Sequence, residues 1–192
     1  RFDQSEHPFC GGATDDIRIT TKYIDENFFA ALEASMHETG HALYELGLPK
    51  KWKHQPIGKS GGMALHESQS LLIEMQIYRS LSFKKYLEKK LRTNYNFKDI
   101  SLSANNLFRH GNKVSKSFIR IYSDEVTYPL HIILRYKLEK KILSKEISIK
   151  DIPKFWNESF FQVFGLDVLD DSQGCLQDIH WYGGAFGYFP TY

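Results

Sequence analysis

Apolar positions recur at steps of three and four through Phe29, Leu32, Met36, Gly40 and Leu43, the spacing of one face of an α-helix. Asp25 stands where an N-cap belongs, and Gly47 and Pro49 mark the stop, so this stretch predicts a helix. Gly40 lies inside the apolar stripe, where it weakens a helix relative to Ala, and close approach of another backbone is the expected compensation. Upstream, Asp16 to Tyr23 alternates apolar and polar residues with β-branched ones, the pattern of a half-buried strand. Residues 1–14 read as irregular because of Pro8, Gly11 and Gly12, with His7-Pro8-Phe9 on a loop.

Residues 48–62, rich in Lys, Pro and Gly, predict a surface connection in which Trp52 and His54 make loop and solvent contacts. A second helix is expected from Met63 or Leu65 to Lys90, with Glu67, Leu71, Glu74 and Tyr78 on one side and the Lys84–Lys90 run as a solvated face. Residues 93–112 read as a connection with a short helix from Ser103 to Arg109. A third long helix is expected from Asn112 to Ser144, kinked at Pro129. On it Arg120, Asp124, Thr127 and His131 would form a ladder, either exposed with an Arg120–Asp124 pair or facing a core. A last helix starts at Asp151-Ile152-Pro153 and ends at Gly165. The stretch from Gly174 to Tyr192 mixes small residues with aromatics, which permits tight backbone approach.

The 192 residues, 42% of them hydrophobic, suffice for one core, so a single domain is the expectation for 1–192. The balance of 25 basic against 23 acidic residues points to neither a nucleic-acid nor a membrane partner. Two cysteines are too few for a disulfide framework, and no apolar run is long enough to span a bilayer, so a cytoplasmic setting is expected. Both ends read as cut from a longer chain. Apolar residues fall on more than one side of the second and third helices, among them Leu71, Leu72, Ile73, Met75 and Ile77 on the second and Ile132, Ile133 and Leu134 on the third, which predicts that some of these faces are left bare by this stretch alone.

Candidate chemistry centres on His37-Glu38-Thr39-Gly40-His41. Residues four apart on a helix differ by about 40° in heading and about 6 Å in height, so the two imidazoles can converge on one ion, with Zn²⁺ the natural choice. Glu38 lies about 100° round from His37, where it reaches water held at the ion without being a ligand, as a general base requires. Glu67, which otherwise reads as a carboxylate near a helix N-terminus, is the natural third ligand, with Glu74 able to hydrogen-bond behind it.

Six segments together closely resemble the motif series of the Taq-type metallocarboxypeptidases: His7-Pro8-Phe9, Asp16-Ile17-Arg18-Ile19-Thr20, His37 to His41, His66-Glu67-Ser68-Gln69, Ile119-Arg120-Ile121-Tyr122-Ser123-Asp124, and Gly174 to Trp181. They occur in that family's order and cover essentially the whole chain; Ser123 stands where the family usually has Ala. The resemblance implies a mainly helical, zincin-like (gluzincin) core with a small β-sheet, part of a chain more than twice as long. It also implies a divalent metal (Zn²⁺, or another such as Co²⁺), release of C-terminal amino acids from peptides with a free C-terminus, and a homodimeric full-length form. Carried over by position, His37, His41 and Glu67 become metal ligands and Glu38 the base. Arg120 becomes the residue that holds the substrate's terminal carboxylate, His7 lines the substrate site, and Arg18 is a weaker candidate for the same region. His180 or Tyr188 could donate to the oxyanion that forms on the scissile carbonyl.

The resulting expectation is a metal-dependent carboxypeptidase core. Its rival is a remnant that keeps the fold elements and only binds peptides or a partner chain.

Overall fold

The computed structural model describes residues 1–5, 8–13, 15–23 and 27–192. His7 and the expected cap Asp25 lie outside the described residues. The chain groups into two compact units, Arg1–Gly111 and Asn112–Tyr192.

The first unit opens with three short strands, β1 (Phe2–Gln4), β2 (Cys10–Ala13) and β3 (Asp16–Thr21), in the order β1-β3-β2. β3 runs parallel to β1, with Phe2 beside Ile19, and antiparallel to β2, with Cys10 beside Ile19. Thr21, fully buried at the end of β3, donates its hydroxyl to the carbonyl of Ala31 and so ties the sheet to α1 (Phe28–Gly47). Asn27 caps α1 by accepting from the backbone of Ala30, and the helix ends at Gly47, as the sequence predicts. Two 3-10 turns, Lys50–Trp52 and Pro56–Gly58, occupy the surface connection.

The long second helix is in fact three elements. α2 (Met63–Leu71) passes into a π-helical segment, Leu72–Tyr78, and after a break at Ser80 the chain resumes as α3 (Leu81–Tyr95). Ser80 is the signal for that break: its backbone is extended and its hydroxyl accepts from the amide of Phe83, a side-chain cap that starts a new helix. The Lys84–Lys90 run is also not wholly solvated. Lys84 is buried, with its Nζ 3.4 Å from the centre of the Tyr78 ring, and burial pushes its pKa down to about 8. α4 (Ala104–Gly111) closes the unit, its first amide bonded to Glu88, and Leu87, Leu91 and Leu107 pack together between α3 and α4.

In the second unit the expected helix from Asn112 does not form until Tyr128. Residues 112–127 are irregular apart from a 3-10 turn at Arg120–Tyr122, and α5 is Tyr128–Leu143. The reason is local. Asp124 accepts from the amides of Ser115, Val126 and Thr127 and from the Thr127 hydroxyl, giving the backbone an alternative to helical bonding. Pro129, which lacks an N–H, then sits in the first turn of α5, where none is needed, and starts the helix instead of kinking it. The polar ladder of the sequence reading is therefore absent. α6 (Ile152–Phe164) ends as expected at Gly165, whose φ of 65° is the left-handed conformation that glycine tolerates. Leu134 and Leu138 of α5 pack on Trp156, Phe160 and Phe164 of α6, and each side chain so buried contributes about 1.5–3 kcal/mol.

Among the described residues no helix is long and apolar enough to cross a membrane. Of the apolar residues named for bare faces, Leu72, Ile77 and Ile133 are 43–47% exposed, whereas Leu71, Ile73 and Met75 are half-buried and Ile132 and Leu134 are buried in the second unit.

Candidate metal centre

Glu33, His37, His41 and Glu45 recur every four residues along α1, one side chain per turn on one face. α2 lies against this face at very short range. A Cβ added to Gly40 would stand 2.5 Å from the Gln69 carbonyl oxygen and from the Ser70 Cα, so only glycine permits the approach that the stripe predicted. The approach brings Glu67 up to both histidines. His37 Nε2 is 3.6 Å from Glu67 Oε1 and His41 Nε2 is 3.3 Å from Glu67 Oε2, and three donor atoms of this set lie within 4.8 Å of one another. A direct check follows: Gly40→Ala should force the helices apart, lowering the melting temperature by the equivalent of about 1–3 kcal/mol and weakening zinc binding. An unchanged melt and zinc affinity would mean that the approach is not tight.

The electrostatics of this set suit a cation. Glu67 is 6% exposed and its Oε1 is buried without a hydrogen-bond partner, an uncompensated anionic oxygen of the kind a folded protein rarely leaves. Burial pulls the Glu67 pKa up, but His41, His37 and Ser70 outweigh it and hold the carboxyl below its ordinary range. Burial pulls His37 down, and the bond to Glu74 with the charges of Glu67, Glu74 and Glu38 turns the net shift upward. Two imidazole nitrogens and one carboxylate oxygen are the donors of a catalytic zinc site that keeps a position open for water or substrate.

The surroundings hold these donors in place. The sequence reading put Glu74 behind Glu67, whereas the structure hydrogen-bonds Glu74 Oε2 to His37 Nδ1 at 2.7 Å. The π-helical segment inserts an extra residue per turn between Glu67 and Tyr78, and Glu74 lies within it. Arg79 follows the segment, 3.5 Å from Glu74 and bonded to Glu33 at 2.7 Å, so a chain of paired charges runs from α1 through Arg79 and Glu74 back to His37. On the other side His66 meets His41 and Glu45. Glu33, Glu45 and Arg79 escaped the sequence reading, and His66 entered it only as a motif member without a role; the four-residue recurrence along α1 was the available signal for Glu33 and Glu45. Glu38 is buried on α1 beside His37 and outside the three-donor set. A cavity of about 330 Å³, lined by Cys10–Ala13, Ile17, Glu45 and His66, adjoins the cluster. Burial, with Glu38 and Glu45 adding to it, pushes the Cys10 thiol up to about 11, and Cys10 lies outside the three-donor set.

The sequence profile of the Carboxypeptidase Taq (M32) metallopeptidases matches residues 1–192, the whole chain. The chain belongs to that family. It is 42% identical over 195 residues to Carboxypeptidase 1 of Bacillus subtilis and 40% identical to Thermostable carboxypeptidase 1 of Thermus thermophilus, covering all of this chain and 38% of each relative. The chain thus spans well under half the length of the curated relatives it matches. Among solved structures it superposes on Trypanosoma cruzi metallocarboxypeptidase 1 with a TM-score of 0.94 at 43% identity, covering all of this chain and 40% of that one. A Pyrococcus furiosus carboxypeptidase gives 0.92 at 39% identity, with 39% of its chain covered. The mainly helical fold with a small sheet is that of the M32 carboxypeptidases.

Arg18 is half exposed on β3 and paired with Asp16, at 2.9 Å from its Nε. Arg120, Asp178, His180 and Tyr188 come together in the second unit. Arg120 is 6% exposed, its Nε and Nη2 donate to Asp178 Oδ1 at 3.0 and 2.9 Å, and its Nη1 donates to the Tyr128 hydroxyl at 2.8 Å. Of the two readings of the ladder, the exposed Arg120–Asp124 pair does not form, and the buried partner of Arg120 is Asp178. The other oxygen of Asp178 accepts from Nε of the fully buried Arg135 at 2.6 Å. Burial raises the Asp178 pKa, but the two guanidiniums outweigh it and keep the group ionised. The His180 ring lies 4.8 Å from that of Tyr188 and 4.6 Å from that of Phe189, with Nε2 3.4 Å from the Tyr192 hydroxyl.

Proposed function

We propose that this chain carries the metal centre and base of a zinc-dependent carboxypeptidase acting on peptides with a free C-terminus. The observation that carries the reading is the buried Glu67 carboxylate, which turns one oxygen to each of two histidine Nε2 atoms and has no hydrogen-bond partner on Oε1, in a chain of the M32 family. His37, His41 and Glu67 would hold the ion, which when bound supplies Lewis acidity toward the scissile carbonyl and acidifies water. Glu38, buried next to His37 and left out of the ligand set, takes the proton of the attacking water and passes it to the leaving amine.

By the motif resemblance, Arg120 is assigned the grip on the substrate's terminal carboxylate; by similarity to the wider zincin group, His180 or Tyr188 is assigned donation to the developing oxyanion. Three of the five N–H groups of Arg120 are used by Asp178 and Tyr128, which fix the guanidinium plane and leave two for an incoming carboxylate. His7 and Arg18 are assigned to the same substrate region on the resemblance alone.

The test compares release of the C-terminal residue from a free-acid peptide and from its amide, with zinc and after chelation. Release from the free acid alone, abolished by chelator, is the expected result. Equal rates on both peptides would remove the reason for the carboxypeptidase assignment, and zinc binding with no release would favour a peptide-binding remnant.

A further inference from the structure

The histidine at position 66 precedes the third ligand of the proposed metal centre and belongs to none of the roles assigned above. Its two ring nitrogens are both engaged: Nδ1 lies 2.6 Å from His41 Nδ1, and Nε2 lies 2.8 Å from Glu45 Oε1. The rings of His41 and His66 are 4.6 Å apart, and Tyr44 packs edge-on against His66 at 5.3 Å. Both rings are largely buried, with 14% of the His41 and 19% of the His66 side chain exposed.

With the His66 ring neutral, these contacts set where its hydrogen sits. Two nitrogens 2.6 Å apart need a single hydrogen between them, since two hydrogens would collide and two lone pairs would repel. The Glu45 carboxylate only accepts, so it selects the His66 tautomer with its hydrogen on Nε2. That tautomer has a bare Nδ1, which accepts, so His41 carries its hydrogen on Nδ1. When a metal is held there, His41 Nε2 is the bare nitrogen; it is the atom that faces Glu67 Oε2 at 3.3 Å, and without the metal it can donate to that oxygen. One carboxylate at the far end of α1 thus sets, through two imidazoles, which nitrogen of His41 is offered inward. Glu74 does the same for His37 in one step, by accepting from Nδ1.

We propose that His66 is a positioning residue, held by Glu45, that fixes the tautomer and ring orientation of His41 so that its Nε2 is presented to the metal. This rests on the metal-centre reading and adds a residue pair to it. Partners of this kind, which hydrogen-bond a ligand and do not touch the ion, typically change metal affinity by about 10–100-fold when removed.

The experiment measures the zinc dissociation constant by chelator competition in the parent and three variants, with the zinc-free melting temperature of each. His66→Phe keeps a ring of similar breadth and removes both nitrogens; it should weaken zinc binding about 10–100-fold while its zinc-free melt stays near the parent's. His66→Asn restores an acceptor near the Nδ1 position and should recover part of the loss. Glu45→Gln keeps an oxygen acceptor for His66 and should bind within a few-fold of the parent. In the zinc-loaded parent, a through-hydrogen-bond nitrogen–nitrogen coupling between His41 Nδ1 and His66 Nδ1 should be detectable by NMR. A His66→Phe variant that binds zinc as tightly as the parent would overturn this proposal and leave the metal centre standing. A parent with no affinity for zinc would overturn both.

Discussion

Glu38→Gln should leave zinc content close to that of the parent and lower peptide release by at least about a hundredfold, the contribution expected of a positioned general base. The substitution is nearly isosteric, so the buried site beside His37 stays filled and α1 stays intact. What it removes is the ability to hold a proton between the attack of water and the departure of the amine. Glu67→Ala provides the contrast: it deletes one of three donors and should empty the site, losing metal and activity together. Metal content after dialysis, measured beside release of the C-terminal amino acid, separates the two roles. A glutamine variant that loses its zinc, or that keeps turnover within tenfold of the parent, would show that Glu38 has been given the wrong part.

Much of that centre was legible in the sequence because its spacing is dictated by one helix. His37 and His41 share a face of α1 by the helical repeat alone, and Gly40 between them announced the close approach of α2. Glu67 was harder, since its own helix offers an equally good local reason for an acidic residue near its start. What no local pattern could give was the partner across the gap. Glu74 was placed behind Glu67 on the assumption of an unbroken α-helix, and the π-helical segment re-aims it at His37. Arg120 was read as part of a helical ladder, either paired with Asp124 on an exposed face or turned to a core, because residues 112–127 have helical periodicity. The capturing side chain of Asp124 and the missing N–H of Pro129 prevail over that periodicity, and the true partner, Asp178, is separated from Arg120 by 58 residues of sequence. Lys84 failed in the same way: a lysine between charged neighbours reads as solvated until Tyr78 is placed against it. In each case the helix-local rule was sound, and a long-range pairing changed its outcome.

Asp178→Ala should be among the most destabilising single changes in the second unit. One carboxylate there is the shared ion-pair partner of two guanidiniums: Arg120, with 7% of its side chain exposed, and Arg135, with none. Both arginines also lie against aromatic rings, Arg135 at 4.7 Å from Trp156 and Arg120 at 4.8 Å from Tyr192, so neither can turn to solvent without opening the core. Removing one partner of such a buried group typically costs about 3–5 kcal/mol, because the remaining charge is left uncompensated. Total stability is only about 5–15 kcal/mol, so a loss of this size is a large part of the whole. At about 4–8 °C per kcal/mol for a unit of this length, the melting temperature should fall by at least about 12 °C. Acid should act in the same direction. The folded-state pKa of Asp178 is depressed, so its contribution is fully present above the unfolded carboxylate pKa and is lost as pH falls through the folded value. Asp178→Asn should therefore start less stable at neutral pH and lose less on acidification than the parent. The readout is tryptophan fluorescence against temperature and pH, since Trp156 and Trp181 both belong to this unit and Trp156 stacks on Arg135. An alanine variant melting within about 2 °C of the parent would mean that the two arginines are solvated and that the cluster contributes no more than a surface ion pair, about 0–1 kcal/mol.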